Sequence, residues 1–322
     1  MSSVAVPAAA SSAGRRLASW FFAAVPAGRV AAFRTLAYLY IPLDLLKLTP
    51  WVVLHDHVPG ALYRPLFVGR LLPLPVPTEL VVDGIFWALL VTSVAAATGR
   101  LPRLLGWTVA ILYFEWMVVA MSYGKVDHDR FAFVVALFAL ATAGPARHGE
   151  RTPTERGGWA LRIVQLAVIA TYFLSALAKH RYGGLAWLNS STLTWAVIRR
   201  GTPFAHELLD IPGALVATQW FIVLFELGSP IVLLVSERVR CWLVACLYAF
   251  HVGVYAAVRI AFFPHLVALA AFLPLERVRP LHILGRIVNS GRTRERPGWL
   301  RRDAPRDPPD DAPGVGVLSG SG

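Results

Sequence analysis

Apolar residues recur along the chain in long runs that are separated by short polar breaks. The runs lie at 31–49, 78–98, 103–123, 128–145, 158–179, 212–236, 239–258 and 260–275. Each approaches the roughly 20 residues that a helix needs to cross a bilayer. Clusters of Pro and Gly, such as the segment 72–77, mark the breaks between runs. The pattern predicts an all-α, polytopic membrane helix bundle with about eight transmembrane helices.

The composition fits a chain whose solvent is lipid. Hydrophobic residues make up 56% of the sequence, charged residues 16%, and the mean hydropathy is +0.56. We divide the chain into three parts. Residues 1–29 form an N-terminal segment with an interfacial amphipathic helix around Trp20, residues 30–276 form the transmembrane domain, and residues 277–322 form a basic and then disordered cytoplasmic tail.

The net charge of +12 raises the question of a nucleic-acid partner. The basic residues, however, cluster in short loops at 99–103, 146–157 and 237–240 and in the C-terminal tail. Basic residues next to spans set membrane orientation and attract anionic headgroups. We therefore expect the lipid bilayer, not nucleic acid, as the partner. The expected location is the cell (plasma) membrane, with cytoplasmic N- and C-termini.

Several ionisable side chains interrupt the apolar runs, where charge is costly and often functional. They are Asp44, Lys47, Glu115, Glu226, His251 and His265. Asp44 and Lys47 are three residues apart on one predicted helix, so the simplest interpretation is that they neutralise each other. For Glu115, Glu226 and His251, hydrogen bonding between helices and a role in a site remain open alternatives.

Two further residues lie at the predicted ends of spans. His128 opens one run between Asp127 and Asp129, and Lys179 closes the next run after Tyr172. One interpretation of Lys179 is an interfacial cation whose ammonium reaches water. The other is a lysine whose apolar surroundings lower its proton affinity, so that it can act as a base.

Four short motifs occur in order along the predicted spans. They are Phe33-Arg34, His128, Tyr172-Phe173-x-x-x-x-x-Lys179 and Phe250-His251. Their order and spacing resemble the membrane domain of vitamin K-dependent gamma-carboxylase, which is shared with the bacterial horizontally transferred transmembrane (HTTM) domain proteins. The resemblance covers about residues 30–276.

The resemblance implies a site that reacts with reduced vitamin K. Lys179 matches the lysine that deprotonates this quinol, and His128 matches a histidine that serves carboxylation. His251 matches a later histidine, and together with Glu226 and Tyr172 it is expected to contact a reduced menaquinone or vitamin K-like quinol. The chain departs from the carboxylase in having Ala178 before Lys179 where that enzyme has two lysines. It also has only a short polar tail where the carboxylase has an extracytoplasmic domain, so a separate substrate or partner protein is expected.

Two hypotheses follow for function. The first is a quinol- and oxygen-dependent carboxylase or oxygenase-type enzyme that acts on a small or lipidic substrate, with Lys179 and His128 as catalytic residues. The second is a non-catalytic membrane protein for transport, for lipid or quinone binding, or as an accessory subunit. No metal site is expected, because His55 and His57 in the first loop lack a third ligand.

Overall fold

The fold is a bundle of α-helices, seen in a computed structural model that describes residues 12–278. The α-helices are α1 (Ser12–Phe21), α2 (Ala27–Leu43), α3 (Phe67–Leu71), α4 (Glu79–Ala97), α5 (Pro102–Ala120), α6 (Phe131–Thr142), α7 (Glu155–Leu188), α8 (Thr192–Arg200), α9 (Pro203–His206), α10 (Ala214–Gly228), α11 (Ile231–Leu234), α12 (Glu237–Val258) and α13 (Phe263–Leu269). The predicted tail beyond residue 278 lies outside the described residues.

Short elements join these helices. A π-helix, Asp44–Leu48, extends α2, and 3₁₀ helices cover Pro50–His57, Gly60–Leu62, His128–Arg130, Glu207–Asp210, Ala270–Phe272 and Leu275–Arg277. Two strands of two residues, β1 (Val25–Pro26) and β2 (Pro153–Thr154), pair antiparallel, with Val25 opposite Thr154. This pairing joins the segment before α2 to the segment before α7.

The main apolar core lies between α2, α4, α5, α6, α7 and α13. α6 packs between α5 and α7, α4 packs against α2 and α5, and α10 covers another face of α7. We name the two ends of the bundle by residues within them. At the Lys179 end, α2 and α7 finish, whereas at the Glu276 end they begin.

The outer surface of the bundle is apolar. On α4, Leu80, Trp87 and Val91 are all exposed, and their spacing of seven and four residues places them along one helix face. A long exposed apolar face is what lipid requires of a membrane protein, because lipid offers no hydrogen bonds to polar groups. The predicted fold class is therefore confirmed.

Fewer long apolar helices are present in residues 12–278 than the eight predicted runs. Among the described residues, five helices are long and apolar enough to cross a bilayer, and a sixth is added if Ala27–Leu48 and Pro50–His57, bent by 59°, count as one span. The predicted runs 128–145 and 260–275 do form helices, but α6 has 12 residues and α13 has seven. Their sequences could not reveal this, because hydropathy does not show where a helix stops.

An ion-pair cluster fixes the Glu276 end. Arg29, near the start of α2, donates two hydrogen bonds to Glu276 at 2.8 and 2.7 Å and one to Glu237 at 3.1 Å. Glu237 begins α12, and Arg277 pairs with it at 2.9 Å. The cluster therefore ties the first residues of α2 to α12 and to the last described turn of the chain.

Candidate functional site

A cavity of about 290 Å³ lies in the Lys179 half of the bundle, between α7, α10, α12, α13 and the turn before α6. Five of its lining residues are the five that the family resemblance assigns to catalysis or to contact with the quinol. They are His128, Tyr172, Lys179, Glu226 and His251. The structure thus brings together residues that are up to 123 positions apart in the chain.

Three polar residues of α7 reach the cavity from one side of that helix. Tyr172, Ser175 and Lys179 are separated by three and four residues, a spacing that places side chains on the same helical face. Tyr172 is buried at the core side and Lys179 is partly exposed. α7 continues past the predicted end at residue 179 to Leu188, with non-helical backbone at Gly184 (φ 55°) that only glycine adopts easily.

Lys179 is paired with Glu226 of α10. Its Nζ lies 2.7 and 2.6 Å from the two carboxylate oxygens and 2.8 Å from Oγ of Ser175. The Ser175 hydroxyl lies 3.4 Å from Oε1 of Glu226, and the Trp187 ring lies 5.6 Å from Nζ. The side chains of Lys179 and Glu226 are only 21% and 8% exposed, so this is a largely buried pair and not a cation directed at water.

Tyr172 and His251 form a second polar contact, between α7 and α12. The Tyr172 hydroxyl lies 2.6 Å from Nε2 of His251. Within residues 12–278, Nδ1 of His251 has no hydrogen-bond partner. The imidazole therefore has a second polar atom that a ligand could engage if the ring shifts slightly.

His265 is a histidine of this site to which the sequence assigned no role. It stands near the start of α13, is 1% exposed and lines the cavity. Its ring packs edge-on against Tyr172 at 4.8 Å and lies 5.3 Å from His251. Neither of its ring nitrogens has a partner in the described part of the chain. The sequence signal was a histidine in an apolar run, but nothing in the sequence showed which cavity it would reach.

His128 reaches the cavity from the turn before α6, where its ring lies 6.4 Å from that of Phe262. Of its two flanking acids, Asp127 pairs with Lys125 at 3.0 Å, whereas Asp129 lines the cavity. Asp129 therefore places a second ionisable side chain in the cavity beside His128.

The turn that carries His128 is held by a buried ion pair. Arg130 donates from Nη1 to both oxygens of Asp44, at 2.9 and 2.8 Å, and the hydroxyls of Tyr40 and Tyr113 also donate to that carboxylate. The interpretation of Asp44 as the partner of Lys47 is wrong, because Lys47 is exposed while Asp44 points into the core. Residues three apart on a helix lie close only if both side chains face the same way.

The Phe33-Arg34 motif lies away from the cavity. Both residues are buried in α2, and Nη2 of Arg34 donates to the carbonyl of Gly144 at 2.5 Å. Glu115 is also absent from the cavity lining. In the described residues, no group of three or more His, Cys, Asp or Glu side chains is arranged to hold a metal ion.

The fold and the cavity together define a polytopic helical membrane protein with a polar site buried in one half of its bundle. The family model of the HTTM domain matches residues 141–276, so over this range the chain is similar to HTTM domain proteins and the predicted HTTM resemblance is confirmed. The match includes Tyr172, Lys179, Glu226 and His251, while His128 precedes it. No curated protein and no solved structure matches the chain.

Proposed function

We propose that this protein is a membrane enzyme that binds a reduced menaquinone or vitamin K-like quinol in the cavity at Lys179. The observation that carries the proposal is the convergence of five separately predicted side chains on one cavity. Buried polar groups that meet in an otherwise apolar pocket are the usual mark of a ligand site. The second substrate would be small or lipidic, or would be presented by a separate protein.

The cavity has the size and lining that a quinol ring needs. Its volume of about 290 Å³ lies near the lower limit of ligand pockets, roughly 300–1,000 Å³. Ile222, Phe250, Val254 and Phe262 supply apolar and aromatic walls. The polar atoms of Lys179, Glu226 and the histidines supply partners for ring hydroxyls. These residues fit a bicyclic ring with two oxygens.

A second cavity supports a ligand with a lipid tail. It measures about 330 Å³, and its lining includes five leucines of α7 and α10. Lys179 lines both cavities, so the two volumes lie on either side of this residue. A ring held beside Lys179 could therefore have its aliphatic chain in the apolar cavity.

The residues of the chain have separable tasks in this proposal. A bound quinol would supply reducing electrons for a reaction with oxygen. Lys179 and Glu226 take part in the transfer of the proton from the quinol hydroxyl. Tyr172 and His251, held together by their hydrogen bond, orient the ring. His128, with Asp129 beside it, is the acid–base partner for the second substrate.

We place the Lys179 end at the outer face of the plasma membrane and both termini in the cytoplasm. The Arg-rich segments 99–103, 146–157 and 237–240 lie at the Glu276 end, where the first two follow α4 and α6 and the third forms the first turn of α12. Basic residues at the ends of spans favour the cytoplasmic side. The orientation can be tested by labelling single cysteines introduced at 125 and at 147 in intact cells, after Cys241 and Cys246 are replaced.

The proposed activity is tested by incubating the purified protein in lipid nanodiscs with reduced menaquinone and oxygen and measuring quinone epoxide. We expect turnover by the wild type and a loss of about 100-fold or more in Lys179→Ala, the range typical of acid–base residues. Lys47→Ala, at an exposed lysine outside the cavity, is the matched control.

Equal epoxide formation by wild type and Lys179→Ala would exclude the assigned site. Quinol binding without any product in wild type would instead favour the non-catalytic alternative, in which the cavity only binds or carries a quinone.

A further inference from the structure

The surroundings of Lys179 Nζ show which protonation state it holds. Three oxygen atoms lie within hydrogen-bond distance of it: Oε1 and Oε2 of Glu226 and Oγ of Ser175, at 2.7, 2.6 and 2.8 Å. An ionised carboxylate only accepts hydrogen bonds. Because the Ser175 hydroxyl is placed to donate to Oε1 of Glu226, its own oxygen accepts from Nζ. Nζ is therefore surrounded by acceptors.

An amine can take up a proton only through a free lone pair. An ammonium has three N–H donors and no lone pair, and this arrangement offers it three acceptors. A neutral amine at the same place would direct its lone pair at an oxygen that is itself an acceptor. When Glu226 is ionised, Lys179 thus already carries the proton that a base would have to gain. The Glu226 oxygens, in contrast, still have free lone pairs.

The charge of the Lys179–Glu226 pair leads to the same assignment. The ammonium of Lys179 and the carboxylate of Glu226 have a net charge of zero. The net charge remains zero when a neutral ligand hydroxyl gives its proton to Glu226, because the negative oxygen that is left beside Lys179 replaces the negative carboxylate. If Lys179 were the base, the neutral amine beside the Glu226 carboxylate would leave a net negative charge in a largely buried site before the ligand even ionised. Uncompensated buried charge is expensive.

We propose that Glu226 is the proton acceptor of this site and that Lys179 is a fixed cation which stabilises the negative oxygen left on the ligand. The inference rests on the proposed function, in which a ring hydroxyl enters the cavity. In the step, the ligand O–H bond breaks, the proton goes to a carboxylate oxygen of Glu226, and the electron pair stays on the ligand oxygen. No oxidant takes part.

The position of Glu226 suits it to accept the proton of the ligand hydroxyl. It lies on α10, lines the cavity and has a side chain that is 8% exposed, so water does not compete strongly for its oxygens. Once Glu226 is neutral, Lys179 is free to turn its charge towards the ligand and keeps only the hydrogen bond with Ser175. Preorganised charge of this kind is a large contribution to catalysis in sites that exclude water.

The test uses 1-naphthol, a bicyclic phenol without quinol redox chemistry, added to the full chain in nanodiscs. Infrared difference spectra report the C=O band of a newly protonated carboxylic acid, and absorbance reports ionised naphthol. We expect both signals in the wild type and the loss of both in E226Q. K179R, which keeps the cation but cannot act as a lysine base, is expected to retain both, whereas K179M loses the ionised naphthol.

Matched controls come from exposed residues at the same end of the bundle. Lys47→Met and Glu79→Gln are expected to behave as wild type, since neither residue lines the cavity. Gel filtration and thermal melting establish that each variant folds. If E226Q does not fold, the wild type is instead prepared with ¹³C-labelled glutamate. The C=O band of a protonated Glu226 must then move to lower frequency, because the heavier carbon lowers its stretching frequency.

The assignment would be overturned if E226Q still showed ionised naphthol and the acid band, or if the acid band did not shift in the ¹³C-glutamate protein. It would also be overturned if K179R lost the ionised naphthol as completely as K179M. Both leave the quinol site itself standing if the wild type binds its ligand. Failure of the wild type to bind either 1-naphthol or reduced menaquinone would instead remove the proposed function, and the assignment of Glu226 with it.

Discussion

Arg130 and Asp44 are joined by two hydrogen bonds, at 2.9 and 2.8 Å, although 86 positions separate them in the chain. Asp44 lies where α2 passes into its π-helical turn, and Arg130 ends the turn that bears His128. Both side chains are buried. The ion pair therefore connects the first long helix to the turn that bears His128, and by holding this turn it fixes the position of His128.

Replacement of Asp44 by Asn should destabilise the protein strongly. It leaves Arg130 as a buried cation without its carboxylate, a change that typically costs about 3–5 kcal/mol. The measurement is the melting temperature in detergent, with Lys47→Ala as the control at an exposed position. The double variant Asp44→Leu with Arg130→Met should recover much of the loss. A single variant that melts like the wild type would contradict this account of the turn.

The contact between Tyr172 and His251 should appear as an energetic coupling. We expect Tyr172→Phe and His251→Phe to be non-additive by about 0.5–3 kcal/mol, as neighbours that share a hydrogen bond usually are. A double-mutant cycle on thermal or denaturant stability gives this value. Tyr182→Phe, which removes a hydroxyl from an exposed tyrosine, should instead be additive with His251→Phe. Additive effects for Tyr172 would show that the 2.6 Å contact carries no energy.

Gly158 should tolerate no side chain. A Cβ on this residue of α7 would lie 1.9 Å from the carbonyl oxygen of Ala23, two residues before β1. Gly158→Ala must push this segment away and is expected to lower the melting temperature. Gly84→Ala is the matched control, because its Cβ would meet nothing within 4 Å and alanine favours the helix by roughly 0.5–1 kcal/mol. Equal behaviour of the two variants would contradict the close approach at Ala23.

The Glu276 cluster should make stability depend on acid pH. Burial by itself would raise the pKa of Glu276, but the hydrogen bonds and charge of Arg29 outweigh it and the net pKa falls below its ordinary value of 4.5. Because the folded pKa is the lower one, the stabilisation is complete above the unfolded pKa and is lost as the pH falls through the folded pKa.

Melting temperatures measured from neutral pH to below the ordinary carboxyl pKa should therefore show a fall in wild type that is smaller in Glu276→Gln. Glu79→Gln, at an exposed acid in the first turn of α4, is the control and should leave the pH dependence unchanged. A wild-type profile that is reproduced fully by Glu276→Gln would mean that the Arg29 contacts do not contribute.

The membrane class and the five predicted residues that line the candidate cavity were identified from the sequence, each for its own reason. Lipid imposes long apolar helices, so hydropathy alone identified runs such as 78–98, which became α4. Lys179 and His128 emerged from motif order, not from local physics. The ion-pair partner of Asp44 could not be found in this way, because Lys47 is the nearest cation along the sequence, whereas Arg130 reaches Asp44 only through the tertiary fold.

The sequence by itself determined that this protein is a helical membrane bundle, since only helices that satisfy their own backbone hydrogen bonds can carry so much apolar surface in lipid. It also determined which ionisable groups are present among the apolar runs. Tertiary structure alone decided that Lys179 meets Glu226, that His265 joins His251 at the cavity, and that α6 and α13 are short. The physical reason is that these outcomes depend on how helices rotate and cross against one another, and hydropathy along a single helix does not fix its rotation relative to its neighbours.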